Sequence, residues 1–252
     1  MIFRTDSESP AQTTVHLPDT RADGLAMHSI RIDAIDALLP QTQCTRCGYP
    51  SCRDYASALE QATTLPNRCP PGGQAGADRL AAMLGQPNLL LDPDCGSAGP
   101  RLVALIDPAQ CIGCTKCIIA CPVDAIIGGP RRMHTVLPSL CSGCELCVPP
   151  CPVDCISIEP LNRSVPWTDA DADAARQRFQ ARAHRREDDQ WRHRERLESE
   201  ARRKLASLDE QIAQPAGENG NASDTETADL QRKRRVVAAA IERARQRQAF
   251  RS

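Results

Sequence analysis

The pattern of apolar positions changes character three times along this chain. Up to residue 27 it is polar, with Ser, Thr, Pro and Asp throughout and no repeating apolar face, which predicts a disordered N-terminus over 1–27. Ile30, Ile32, Ile35, Leu38 and Leu39 then approximate one helical face that Pro40 ends. Asp54–Thr64 and Gly76–Leu84 also read as helices, and Gln86–Pro100 is a Pro/Gly/Asp-rich linker. The short apolar run Leu102–Ile106 predicts a strand. After Leu161 the chain becomes long, charged and helical. Thr168-Asp169 resembles an N-cap with acidic residues in the first turn, and Leu197, Ala201, Leu205, Leu208 and Ile212 form an apolar stripe. A polar linker, Pro215–Thr227, leads to a second helix, about Asp229–Ala249, with Leu230, Val237, Ile241, Ala244 and Gln248 along one face. Phe179 and Trp191 are expected to pack against a helix partner.

Composition sharpens this picture. Aromatics are only 3% of the chain, while 14 residues are Cys and 20 are Pro. So few large apolar side chains suit small modules in which metal binding contributes to folding. The cysteines are ordered. Cys111-x2-Cys114-x2-Cys117-x3-Cys121-Pro122 repeats 30 residues on as Cys141-x2-Cys144-x2-Cys147-x3-Cys151-Pro152. Four thiolates so spaced and closed by proline are the ligand run of a bacterial [4Fe–4S] site, and in paired runs the fourth Cys serves the other cluster. One candidate cluster therefore takes Cys111, Cys114, Cys117 and Cys151, and another takes Cys121, Cys141, Cys144 and Cys147. Structural zinc favours two separated pairs of ligands, and disulfides need an oxidising compartment; neither suits these runs. An earlier group, Cys44-x2-Cys47-x4-Cys52-x16-Cys69, lies among turn residues whose N–H groups can face an anionic cluster. It is read as a third [4Fe–4S] site, with zinc or plain buried thiols as alternatives.

The repeat extends past the ligands, since Pro122-Val-Asp-Ala-Ile126 aligns with Pro152-Val-Asp-Cys-Ile156. Cys155 then stands where the first half has Ala125 and is expected to pack, not to ligate. Cys95, without a nearby Cys, reads as an inert linker thiol. Gly113 and Gly143 let the ligand loops curl. Asp124 and Asp154 read as capping or loop-bonding residues, and His134 as a surface or packing residue. Lys116 in the first run and Glu145, read as its match in the second, would raise and lower the nearby cluster potentials if their charges act unscreened.

The expected architecture is α+β. Residues 28–86 form a small helical [4Fe–4S] domain, 87–100 a linker, 101–162 a bacterial 2[4Fe–4S] ferredoxin-like module, and 163–252 an extended charged helical tail that is separable from the redox module at about residue 165. The formal net charge of −1 hides an asymmetry: 12 basic against 19 acidic residues up to 175, and 19 against 13 beyond it. Arg185-Arg186, Arg202-Arg203-Lys204 and Arg232-Lys233-Arg234-Arg235 could be a solvated charged face, a protein or anionic-lipid surface, or, least favoured, a nucleic-acid surface. No apolar run approaches the ~20 residues that span a bilayer. Met1–Asp19 lacks the apolar core of a signal peptide. The expected location is cytoplasmic, including a peripheral place on the cytoplasmic face of the inner membrane. No GxGxxG or P-loop pattern points to a nucleotide or flavin, and no substrate-converting site is expected.

Residues 28–160 resemble the B subunit of the Rnf/Rsx-type electron transport complex. The resemblance rests on the run Ile35–Cys52, on Asn67-Arg-Cys-Pro-Pro-Gly-Gly73, on Cys111–Cys117, on Ala120–Ile126, on Met133-His-Thr-Val136 and on the second Cys run. It implies [4Fe–4S] ligation by Cys44, Cys47, Cys52 and Cys69, and a relay of low-potential electrons toward a membrane ion-translocating complex or a redox-sensor reducing system. Redox protein partners follow from it, with no small-molecule substrate. The family usually begins with a transmembrane helix and lacks the long basic tail. The chain is expected either to dock on membrane partners through that tail or to serve a cytosolic oxidoreductase as a soluble carrier; an Fe–S regulatory protein whose basic tail binds nucleic acid is the remaining alternative.

Overall fold

The computed structural model describes residues 30–161, 167–213 and 224–249. The predicted N-terminal disorder and most of the polar linker after 214 lie outside the described residues. The chain divides into two compact units, one ending at Phe179 and one running from Gln180.

The first unit opens with α1 (30–37). Of the predicted apolar face, Ile35 and Leu39 are 1% and 2% exposed, whereas Ile30 at 59% lies outside the core. Helix α2 (Cys52–Glu60) starts at Ser51, whose hydroxyl accepts the Asp54 N–H at 3.1 Å. It ends earlier than the apolar pattern suggests because Ala62 turns left-handed at φ 54, with the Thr63 N–H returning to the Ala58 carbonyl. Helix α3 (Gly73–Leu84) stops at Gly85, φ 66, where the Gln86 N–H bonds the Ala81 carbonyl. The three helices pack Ile35, Leu39, Tyr55, Leu59 and Leu80 into a small core. The Tyr55 hydroxyl donates to the Leu65 carbonyl and accepts the Arg68 N–H, tying the loop before Cys69 to that core.

The segment after α3 is no free linker. Gln74 and Asn67 side-chain amides donate to the Leu89 and Leu90 carbonyls, and the Asp92 N–H donates to the Asn67 carbonyl. Next come β1 (Leu102–Ile106), α4 (Lys116–Ala120), β2 (Ile126–Gly129), β3 (Arg132–Val136) and β4 (Ile156–Pro160). Strand β1 pairs antiparallel with β4, from Leu102 opposite Pro160 to Ile106 opposite Ile156; β2 and β3 make a hairpin. Val103, Ala104, Val123, Ala125, Ile126, Val136 and Ile156 share one buried cluster with Cys117, Cys121, Cys141, Cys147, Cys151 and Cys155. Sulfur thus supplies much of the interior that aromatics would supply elsewhere.

Helix α5 (Asp169–Ala213) begins inside this unit. Thr168 and Asp171 cap it reciprocally: the Thr168 N–H donates to the Asp171 carboxylate and the Asp171 N–H to the Thr168 hydroxyl. The sequence boundary at 162/163 therefore falls within the compact unit. Ala172 and Ala175 are buried, and Trp167 Nε1 donates to the Pro40 carbonyl at 2.7 Å. Arg176 Nε meets the buried Asp36 Oδ2 at 2.8 Å. These contacts are hidden from periodicity, because the first three turns of α5 look as polar as the rest of the helix.

In the second unit, the remainder of α5 faces α6 (Asp224–Ala249) in antiparallel sense. Asp209 pairs with Arg234 and Glu198 with Arg245. Leu208 and Ile241 are buried between them, in keeping with the predicted stripes. Leu197 and Trp191 are instead 50% and 56% exposed, contrary to the packing expected of Trp191. Arg202 pairs with Glu198 and Lys233 with Asp229, as solvated charged helices do.

Ending the chain at residue 164 would strip Asp36 of its ion partner and expose the site of Trp167. Leaving a buried charge unpaired costs roughly 3 kcal/mol. Anaerobic urea unfolding is expected to show a loss of that order for a chain ending at 164, and little loss for one ending at Phe179.

Candidate metal centres

The two Cys runs fold as one device used twice. Matching positions 30 residues apart share left-handed backbone: Gly113 and Gly143 at φ 70 and 66, Thr115 and Glu145 at 63 and 65, Asp124 and Asp154 at 50 and 47. Glu145 therefore corresponds to Thr115, not to Lys116. The two aspartates stand where the chain turns after each Cys-Pro, a conformation Asp tolerates better than most residues. The glycines answer to close approach as well as to curl. A Cβ on Gly113 would lie 2.5 Å from the Arg132 backbone nitrogen, and one on Gly143 2.6 Å from the Leu102 carbonyl oxygen.

Each loop wraps a cleft, and the runs exchange their fourth thiols. Cys111, Cys114, Cys117 and Cys151 line one cleft with Ile106 and Ile156. Cys121 joins Cys141, Cys144 and Cys147 around another, with Ala104 and Ile158. Cys44, Cys47, Cys52 and Cys69 line a third with Leu39 and Tyr55. Each predicted set of four thiols lines one cleft, and Cys155 joins the cleft of Cys111, Cys114, Cys117 and Cys151 as a fifth sulfur. Among the described residues no three His, Cys, Asp or Glu side chains converge on one ion; the thiols ring their clefts instead.

The donor chemistry suits an anionic, sulfur-rich group. Backbone N–H groups point at the sulfurs: Ala125 to Cys121 at 3.2 Å and His134 to Cys111 at 3.4 Å. Others reach Cys47 from Tyr49, Cys52 from Gln43 and Cys69 from Gly72. Burial pushes Cys69 and Cys147 up to about 12 and Cys144 up to about 11, with neighbouring thiols adding to the rise. At Cys151 burial is outweighed: the backbone N–H groups of Val153 and Cys155 and the Cys155 thiol hold it down. Four such thiols ionise together only around a positively charged core, so loading iron releases protons.

Several residues sit closer to the clefts than sequence spacing reveals. His134, expected on the surface or in packing, is 2% exposed; its Nδ1 lies 3.2 Å from Cys117 Sγ, and its ring fills the space over Gly128. The Cys155 sulfur is 3.5 Å from that of Cys151, and burial with that contact pushes its thiol up to about 12. It lines the same cleft as Cys111, Cys114, Cys117 and Cys151. Cys95 is buried against the first domain, its sulfur 3.7 Å from Asp92 Oδ2, so it is no longer a linker residue. Glu145 forms an ion pair with Arg46 at 2.5 Å, which neutralises the anion expected to depress a nearby potential.

The paired Cys loops on two antiparallel ribbons define the class: an iron–sulfur protein of the ferredoxin type. Two family models agree, a 4Fe-4S dicluster domain over residues 104–158 and one described as "Putative Fe-S cluster" over residues 39–71. The iron–sulfur part of the chain is related to the B subunit of the ion-translocating oxidoreductase complex. It is 54% identical over 97 residues to that protein of Azoarcus sp. (strain BH72), covering 38% of this chain and 53% of the relative. Against its counterpart in Thiobacillus denitrificans (strain ATCC 25259 / T1) it is 53% identical over 96 residues, 38% and 51% of the two chains. Against that of Yersinia pestis it is 55% identical over 98 residues, 38% and 52%. The chain spans about half the length of the curated relatives it matches. No solved structure matches.

Two substitutions check the geometry. Gly113→Ala forces a left-handed alanine against backbone and is expected to cost about 2 kcal/mol, measurable as a lowered thermal midpoint and slower iron uptake. Cys155→Ala is expected to leave iron per chain unchanged; loss of about four irons would make Cys155 a ligand.

Proposed function

We propose that the chain relays single low-potential electrons through three [4Fe–4S] clusters, as the iron–sulfur B subunit of an Rnf/Rsx-type ion-translocating oxidoreductase complex. The observation that carries this reading is the set of three clefts that gather the twelve thiols four by four, two of them completed crosswise and one of them also lined by Cys155. The names of the relatives support the placement in such a complex. Each cluster, when bound, takes up and releases one electron. The chain's own part is to hold and tune. Cys44, Cys47, Cys52 and Cys69 ligate the first cluster, Cys111, Cys114, Cys117 and Cys151 the second, and Cys121, Cys141, Cys144 and Cys147 the third. Backbone N–H groups aimed at the sulfurs favour the more negative, reduced state, and His134 does the same at Cys117 if it donates there. The chain converts no substrate of its own in this reading; its partners are redox proteins.

No helix among the described residues is long and apolar enough to cross a membrane. We assign attachment to a membrane complex to protein contacts and to the basic α5–α6 region. A free carrier serving cytosolic reductases is the second reading. Anaerobic fractionation of the native host separates them: membrane association released by salt supports the docked form, and a chain wholly in the soluble fraction at low salt supports the carrier.

Full reconstitution is expected to give about 12 irons per chain, and Cys44→Ala to remove about four. A value near eight that Cys44→Ala leaves unchanged would eliminate the first cluster.

A further inference from the structure

We infer that the three cluster sites are strung in an order that differs from their order in the sequence: the third site, of Cys121, Cys141, Cys144 and Cys147, stands between the first and the second. The inference rests on the three-cluster reading and adds the route.

The loops of the first and third sites touch each other. The Ser142 hydroxyl, next to Cys141, donates to the carbonyl of Thr42 at 3.0 Å, and both residues are buried. Thr42 is two residues from Cys44, a reach of at most ~7 Å. Arg46, between Cys44 and Cys47, pairs with Glu145, between Cys144 and Cys147, at 2.5 Å. An exposed pair of this kind adds little stability, but it marks which loops face each other.

The β1–β4 ribbon then sets the direction. The third site lies beside Ala104 and Ile158, and its loop glycine Gly143 presses on the Leu102 carbonyl. The second site lies at the other end of the ribbon, beside Ile106 and Ile156, and its loop glycine presses on Arg132 of the β2–β3 hairpin. Leu102 and Ile106 are four residues apart, ~13 Å along a strand. Further contacts of the first domain gather at the Leu102 end. Trp167, bonded to the Pro40 carbonyl, lies under the Arg101 guanidinium, 4.5 Å from its ring centroid. The run from Cys111 to Cys117 thus belongs to the far end, and electrons passing between the first and second sites must cross the third. The first and second sites are the two ends of the line.

Electron paramagnetic resonance of the dithionite-reduced full chain tests this. Site-specific loss is made with Cys111→Ala/Cys114→Ala, Cys141→Ala/Cys144→Ala and Cys44→Ala/Cys47→Ala, each checked for about eight remaining irons. Without the second cluster, the first and third are expected to keep their mutual spin–spin broadening. Without the third, the first and second are expected to give two narrow, independent signals; undiminished coupling there overturns the order. Should loss of one ferredoxin cluster also empty its neighbour, Arg46→Gln in the otherwise native chain gives the answer. Removing that cation is expected to lower the midpoint potentials of the first and third clusters and leave the second unmoved. A shift confined to the first cluster, or shared with the second, overturns the order. Eight irons in the native chain, insensitive to Cys44→Ala, would instead take down the three-cluster reading and the order with it.

Discussion

Everything in the first unit follows from the difficulty of burying thiols in sets of four. A buried thiol resists ionisation, and a neighbouring thiolate makes ionisation harder still; Cys147 is held up for both reasons. A chain that places Cys121, Cys141, Cys144 and Cys147 around one cleft has therefore built an interior that is awkward without a positively charged core. In exchange, the sulfurs replace the aromatic side chains that this composition lacks, and the strands need be only four or five residues long. Backbone carries much of the remaining electrostatic load. The left-handed residues at 113, 115, 124 and their counterparts at 143, 145 and 154 bend the chain so that amides face sulfur.

Crosswise sharing of Cys121 and Cys151 makes the ferredoxin module indivisible. Each run supplies three thiols to its own cleft and one to the other, so neither half can close its site alone. The first domain is different. Its four thiols come from one local stretch, and its core of Ile35, Leu39, Tyr55, Leu59 and Leu80 is its own. It is joined to the module by a seam that includes Ser142, Glu145, Trp167 and Arg176. The buried Asp36–Arg176 pair is a costly contact to desolvate. Its geometric role is to hold α5 against α1, and with Trp167 it makes the start of the charged helix part of the first unit's scaffold.

The grouping of thiols was legible in the sequence because the two ferredoxin runs are local loops; their exchange follows from the known pattern of paired runs. The set Cys44, Cys47, Cys52 and Cys69, whose last member lies far along the chain, took its ligand reading from the family resemblance. The repeat marks Cys155 as the counterpart of the buried Ala125, but it carries no sign that its sulfur lines the cleft beside Cys151. What escaped was long-range. Arg46 and Glu145 are 99 residues apart, and Arg176 and Asp36 are 140 apart. A charged side chain reads as a surface residue until its partner is known. His134 failed in the same way: one residue on a short strand carries no periodic signal, and only the hairpin that brings β3 against α4 places its ring beside Cys117. Cys95 was misjudged because a Pro/Gly-rich stretch reads as free linker, while Asn67 and Gln74 amides fasten it down.

These long-range contacts change the electrostatics of the proposed relay more than the local ones do. Taken alone, Glu145 would make the third site harder to reduce and would raise a step in the middle of the line. Paired with Arg46, the two charges largely cancel at a distance, and the step between the first and third sites is levelled from both sides. Lys116 has no such counterpart among the contacts described for the first run, and it lies at the end of the line, where a cation favours the reduced state. The charges on the ligand loops then fit a gentle descent toward the second site. That arrangement arises only because the first domain docks on the second Cys run, the one facing Arg46, and not on the first.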